Sequence, residues 1–243
     1  MKRLLEYILS FFYYIWFGLV FLGFHLAGLI AYRNRNRKSL LRMKEYFSLF
    51  IMRGLLILNN RVRFENSQDL PDNRPLLIVT NHQSIYDIPP IIWYLRKHHP
   101  LFVAKKELSR GIPFVSYVLR HSGAALIDRG NSRQALKAIS EMGAIAHRER
   151  LSMVIFPEGT RSKNGRIKSF AWKGLATLLK TCPDALIVPI AINNTWKLHR
   201  HKSFAISSGN ELTWKVLPSL EPAGRPAEEL AKELHRLIAS EVF

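Results

Sequence analysis

The chain has 243 residues, enough for one large α/β domain with an appendage. Hydrophobic residues make up 48% and charged residues 22%, a globular composition that excludes a disordered chain. The formal net charge of +18 predicts an anionic partner, and the single cysteine, Cys182, excludes an internal disulfide.

Residues 8–32 contain no Lys, Arg, Asp or Glu. About 20 apolar residues suffice to cross a bilayer, so this run predicts a membrane helix rather than a signal-peptide core. It carries many aromatics, Phe11, Phe12, Tyr13, Tyr14, Trp16, Phe17, Phe21 and Phe24. Trp and Tyr favour the headgroup level, which suits a helix that dips into one leaflet as well as one that spans. A buried helix of a soluble core is the alternative.

Arg33, Arg35, Arg37 and Lys38 follow. Positive residues beside an apolar span stay cytoplasmic, so a cytoplasmic membrane location is expected, with the following domain on the cytoplasmic side. Residues 1–63 hold eleven Lys or Arg against two Glu, a net +9 and half the charge of the whole chain. That clustering favours an acidic phospholipid surface over nucleic acid.

Leu40, Met43, Phe47, Phe50, Ile51 and Leu55 recur at helical spacing, predicting a second helix over 39–58. The expected organisation is a membrane-associated helical hairpin over 1–60 and an α/β domain over 61–243. A polar connection containing Pro71, Asp72 and Asn73 follows Asn59-Asn60. Strands are predicted at 76–80, 101–104, 124–127, 152–156, 186–192 and 212–217. Helices are predicted at 88–97, 112–121, 132–147, 171–180 and 226–241. Short apolar runs alternating with helices predict a mainly parallel sheet covered on both faces.

In such sheets the chemistry sits beyond the strand ends. The run Leu76-Leu77-Ile78-Val79-Thr80 delivers Asn81, His82, Ser84 and Asp87 to one such end. A neutral imidazole can take a proton from a hydroxyl, and a carboxylate on its other nitrogen fixes the tautomer. On an ideal helix, residues five apart point about 140° away from each other, so a non-helical turn must intervene if His82 and Asp87 are to touch. Ser84 and Asp87 also read as a capping box, the bland role for Asp87.

A second strand ends in Phe156-Pro157-Glu158-Gly159-Thr160-Arg161-Ser162. The planar fork of Arg161 suits phosphate, and Gly159 lets backbone approach a ligand. A turn with a surface salt bridge is the alternative. Lys105 and Arg129 close two further strands; Lys105 could bind phosphate or stabilise an oxyanion, or simply be a solvated charge.

Asn81-His82-x-Ser84-x-x-Asp87, Lys106-Glu107-Leu108, Phe156 to Ser162 and Val188-Pro189-Ile190 occur in that order. They resemble the blocks of the glycerolipid acyltransferases, most closely the bacterial 1-acyl-glycerol-3-phosphate acyltransferases, over about residues 74–195. At Ser116 that family often carries glycine. The resemblance implies the family's α/β fold with its apolar N-terminal hairpin. It implies that His82 acts as general base on a lysophospholipid hydroxyl and that Asp87 orients it. The acyl group would come from the thioester of acyl-CoA or acyl carrier protein as co-substrate, with no cofactor, no metal and no covalent enzyme intermediate. Arg161, with Glu158, Gly159 and Thr160, would hold the acceptor's glycerol phosphate, helped by Lys105 and more weakly by Arg129. Another acceptor such as a lyso-ornithine lipid, a non-catalytic lipid-binding protein and a nucleic-acid binder are the competing readings. A cysteine hydrolase is poorer, because no basic activator stands near Cys182 in the sequence.

Overall fold

The computed structural model describes residues 2–33, 37–201, 203–222 and 224–243. The chain opens with two helices, α1 (Lys2–Arg33) and α2 (Arg37–Gly54). The domain that follows runs β1 (Arg61–Glu65), β2 (Leu76–Thr80), α3 (Ile88–Tyr94), β3 (Leu101–Lys105), α4 (Val115–His121), β4 (Ala125–Ile127), α5 (Ser132–Glu149), β5 (Met153–Ile155), α6 (Trp172–Thr181), β6 (Leu186–Asn193), β7 (Glu211–Val216) and α7 (Ala227–Ala239). The side chains of Arg33, Arg35, Arg37 and Lys38, the expected basic cluster, lie outside the described residues.

Among the described residues the strands form one sheet of seven, in the order β1-β7-β6-β2-β5-β3-β4. Every pairing is parallel except β6 with β7. Strands buried on both faces need apolar residues throughout, and β2 and β6 are buried along their whole length. Alternate residues separate two cores. Leu76 and Ile78 of β2 face one cluster with α1, α2 and α3, while Leu77 and Val79 face another with α5, α6 and α7. The mainly parallel sheet with helices on both faces is therefore as the sequence predicts.

β1 differs from the expectation of a polar connection there. Arg61, Arg63 and Glu65 alternate with Val62 and Phe64, and the strand pairs in parallel with β7 at the sheet edge. An edge strand is wetted on one side, so its charges mask the period of two. The predicted helix over 112–121 begins only at Val115. Phe114 has φ +59, and Val115 N–H donates to Pro113 C=O at 2.6 Å, a three-residue turn that delays the helix.

α1 buries one stripe and exposes another. Glu6, Ser10, Tyr13 and Val20 are buried, whereas Leu4, Phe11, Ile15, Leu22, Leu26 and Ile30 are exposed. By length and composition this helix could cross a membrane. Its buried stripe joins the sheet's own core, because Tyr13 and Val20 cluster with Ile51, Leu58, Ile190 and Trp214. Polar anchors fix the seat. Ser10 Oγ accepts from Ile206 N–H at 2.8 Å, Glu6 accepts from Ser208 N–H at 3.0 Å, and Glu6 pairs with His201 at 2.9 Å. The hairpin and the sheet thus share packing across residue 60.

The last residue of α2, Gly54, lies close against α1. A Cβ at Gly54 would lie 2.6 Å from Trp16 Cδ1 and 3.1 Å from Tyr13 Cε2. Trp16 cannot retreat freely, since its Nε1 donates to Phe50 C=O at 3.0 Å. Overpacking costs about 1–3 kcal/mol, against about 1 kcal/mol gained from replacing a helical glycine. Gly54→Ala is expected to lower the midpoint of denaturant unfolding; an unchanged or raised midpoint would contradict this helix contact.

Candidate active site

The parallel strands β2, β5, β3 and β4, together with β6, all end at one edge of the sheet. That edge gathers the residues singled out above. After Thr80 the chain does not continue as strand, but the Asn81 side chain extends the ladder. Its Nδ2 donates to Ile192 C=O and its Oδ1 accepts from Ile192 N–H, both at 2.8 Å. Asn81 is buried, so this amide mimic of a peptide satisfies groups that solvent cannot reach.

His82 follows, and the chain then makes one 3₁₀ turn over Ile85–Asp87. The extended backbone before it, with Ser84 at φ −151 and ψ 167, is the non-helical stretch that the five-residue spacing requires. His82 Nδ1 meets Asp87 Oδ2 at 2.8 Å. The same Oδ2 accepts from Gln83 N–H at 2.6 Å and from Ser84 N–H at 2.9 Å. Ser84 Oγ accepts from Tyr86 N–H at 3.3 Å, completing a capping box. The two readings of Asp87 merge: one carboxylate caps the turn and holds the imidazole.

Asp87 is 0% exposed. A buried charge needs donors around it. The remaining oxygen, Oδ1, accepts from the Thr195 hydroxyl at 2.5 Å. Nδ1 therefore carries the proton that faces the carboxylate, and Nε2 is left as the acceptor. The ring itself stays accessible, with 12% of the side chain exposed, and stacks on Phe156 at 4.2 Å between centroids.

Phe156 begins the second motif, which is tied directly to the first. Glu158 Oε1 accepts from His82 N–H at 2.8 Å, and Ser162 N–H donates to His82 C=O at 2.7 Å. The other oxygen of Glu158 accepts from Lys168 N–H at 3.1 Å. Burial raises the Glu158 pKa above the usual glutamate value, while the His82 and Lys168 N–H groups oppose that shift. Both Glu158 oxygens thus have backbone donors, which makes it the strut between the two loops.

Gly159 has φ +67, and an added Cβ would meet nothing within 4 Å. The glycine answers to the left-handed backbone rather than to a close approach. Thr160 Oγ1 and Arg161 C=O both accept from Lys168 Nζ at 2.9 Å. The Arg161 side chain is exposed at the same edge. Burial of His199, and then the nearby Arg161 charge, hold its imidazole below the usual histidine pKa, against the opposing pull of Asp87.

Lys105 and Arg129 lie farther out. With strands about 4.8 Å apart, β3 stands about 10 Å and β4 about 14 Å from β2. Lys105 pairs with Glu107 at 3.7 Å. His82, Asp87, Glu158 and the backbone of 159–162 form one bonded unit; Lys105 and Arg129 share its sheet edge only.

The sequence reading missed Thr195 and Lys168. Thr195 follows the end of β6, and its position just past a strand end was the available signal. Ser116, noted above as a departure from the family the chain resembles, is used structurally here. Its hydroxyl accepts from Ile112 N–H and donates to Leu108 C=O, both at 2.9 Å. Cys182 lies away from this edge, and burial, then the Asp184 carboxylate, push its thiol up to about 12. That is no environment for a nucleophile.

A family model described as Acyltransferase matches residues 61–193. A 1-acyl-sn-glycerol-3-phosphate acyltransferase of Helicobacter pylori is 37% identical over 145 residues, covering 54% of this chain and 56% of that protein. The 1-acyl-sn-glycerol-3-phosphate acyltransferase beta of Homo sapiens is 32% identical over 171 residues, covering 70% of this chain and 60% of that protein. A coconut (Cocos nucifera) enzyme named 1-acyl-sn-glycerol-3-phosphate acyltransferase is 32% identical over 150 residues, covering 62% of this chain. The chain spans 47% and 60% of the length of the coconut and human relatives. The crystal structure of the 1-acyl-sn-glycerophosphate acyltransferase PlsC from Thermotoga maritima superposes with a TM-score of 0.76 at 26% identity, covering 99% of this chain and 96% of that one.

Thr195→Val removes one donor from a buried carboxylate. Hydrogen bonds to charged groups contribute about 1.5–3 kcal/mol. Turnover is expected to fall about tenfold, at about 1.4 kcal/mol per decade, and Thr195→Ser to restore it. Steady-state kinetics of both variants check this; a Thr195→Val enzyme as fast as wild type would contradict it.

Proposed function

Because the chain belongs to the Acyltransferase family, we propose that it moves a fatty acyl group from a thioester to the free hydroxyl of 1-acyl-glycerol-3-phosphate, giving phosphatidic acid. The observation that carries this reading is the His82–Asp87 pair, its Nε2 open, bonded through Glu158 to the loop that presents Arg161. The relatives' names point to the same acceptor.

The acceptor hydroxyl gives its proton to His82 Nε2 as its oxygen attacks the thioester carbonyl. Asp87 stays ionised and stabilises the imidazolium. The tetrahedral oxyanion then collapses, the C–S bond breaks, and the leaving thiolate takes the proton back from His82. The products are a new oxygen ester and the free thiol of the donor, either coenzyme A or acyl carrier protein. No residue of the enzyme is acylated, and neither a metal nor a cofactor enters the scheme.

Arg161 binds the acceptor phosphate, since a planar guanidinium can take two phosphate oxygens at once. Gly159 and Thr160 shape the loop that carries it, and Glu158 acts by holding that loop to His82. Lys105 is placed to meet the same phosphate or the oxyanion from two strands away, with Arg129 a further cation beyond it.

α1 belongs in an acidic phospholipid membrane, dipping or spanning, with the basic residues after it on the cytoplasmic side. Its exposed apolar stripe then faces the lipid.

The test is a mass-spectrometric assay of the purified chain with a panel of lysolipids and both donor classes. Phosphatidic acid is expected from 1-acyl-glycerol-3-phosphate. General-base catalysis contributes about 10²–10⁴-fold, so His82→Ala should lose at least about 10²-fold of turnover while the domain remains folded. Transfer by His82→Ala within a few-fold of wild type would reject the mechanism. No product from any acceptor and donor would reject the function.

A further inference from the structure

α1 makes one contact that neither its packing nor the reaction scheme has used. Tyr13 and Tyr86 meet hydroxyl to hydroxyl at 2.7 Å across 73 residues of sequence. Tyr13 is 0% and Tyr86 4% exposed. Neither hydroxyl can turn to water instead, so the pair is a bond that the fold must keep.

The two partners belong to different parts of the molecule's work. Tyr13 stands on the apolar helix, next to Phe12 and Tyr14, which are exposed. Tyr86 stands in the 3₁₀ turn directly before Asp87. Its ring also stacks on His199, with centroids 5.8 Å apart and planes 25° apart. His199 closes the short 3₁₀ helix Thr195–His199, whose first residue bonds Asp87 Oδ1. The turn that carries the acid is thus gripped from α1 on one side and from the end of β6 on the other.

Tyr13 is itself held. Its ring lies 5.8 Å from Phe17, and Gly54 of α2 leaves no room for a Cβ against it. A shift of α1 along its seat would carry the Tyr13 hydroxyl with it, and the Tyr86 hydroxyl would follow or lose its partner.

We infer that Tyr13 is a positioning residue: through the hydroxyl of Tyr86 the membrane helix sets the turn that aims Asp87 and His82. The inference rests on the acyl-transfer reading. Misplacing a catalytic group by about 1 Å can cost about 10²-fold, so a small tilt of this turn is enough to matter. Tyr13 touches no substrate and acts only through Tyr86.

The experiment uses the full chain in vesicles of anionic phospholipid with 1-acyl-glycerol-3-phosphate and an acyl thioester. Tyr13→Phe and Tyr86→Phe each keep the ring and delete one hydroxyl. Each is expected to lower kcat about three- to tenfold, the scale of one neutral hydrogen bond, with KM for both substrates within about twofold of wild type. The double variant should be no slower than either single one, because all three lack the same bond. If Tyr13→Phe does not fold, Tyr86→Phe reads the bond from the sheet side. Unchanged kcat per folded molecule, or losses that multiply in the double variant, would overturn the inference. A wild-type chain that transfers no acyl group contradicts the reaction instead. The inference is then read from the His82 ring nitrogens by NMR, whose signals Tyr13→Phe must move and would leave in place if the bond served packing alone.

Discussion

A carboxylate with no contact to solvent is the constraint around which this molecule is arranged. Burying the Asp87 charge is costly unless donors surround it. The chain supplies them from separate places: the His82 ring, the Gln83 and Ser84 amides, and the Thr195 hydroxyl. Those donors cannot be assembled locally. Thr195 lies 108 residues away and reaches Asp87 only because β2 and β6 are neighbours in the sheet. Even the backbone carbonyl of Asp87 has a partner, the buried indole of Trp214 at 3.1 Å from β7.

The same logic explains the second loop. β5 lies on the other side of β2 and brings Glu158 and Ser162 to the backbone of His82. His82 is therefore fixed twice, at its ring by an acid and at its peptide groups by the loop that bears Arg161. His82 and the backbone that carries Arg161 keep their separation because they are parts of one hydrogen-bonded assembly. This is preorganisation in the sense useful for catalysis, since the geometry is established before substrate arrives. The hairpin joins the assembly through packing with the sheet core, so the apolar N-terminal helix and the His82–Asp87 pair belong to one packed network.

Much of this was legible in the residues. The apolar runs at 76–80 and 186–192 named the two central strands, and the order of motifs named the sheet edge. The pair His82 and Asp87 was readable because a non-helical turn was the only way for them to touch. Glu158 was read as a ligand group, since a sequence shows a carboxylate but not which amides it meets. Thr195 escaped because a hydroxyl after a strand has no pattern until strand order is known. β1 escaped because alternating charges at a wet edge resemble a linker. The Tyr13–Tyr86 contact was invisible for a different reason: helical spacing says which face is buried, not which residue lies opposite.

The account stands or falls on which nitrogen of His82 carries the proton. Nitrogen-15 NMR of the imidazole-labelled chain in the neutral state of the ring measures this directly. The arrangement requires the hydrogen on Nδ1, toward Asp87 Oδ2 at 2.8 Å, with Nε2 bare and able to take a proton from a hydroxyl. A ring protonated at Nε2, with Nδ1 bare against the carboxylate, would leave no base at the site and would contradict the mechanism.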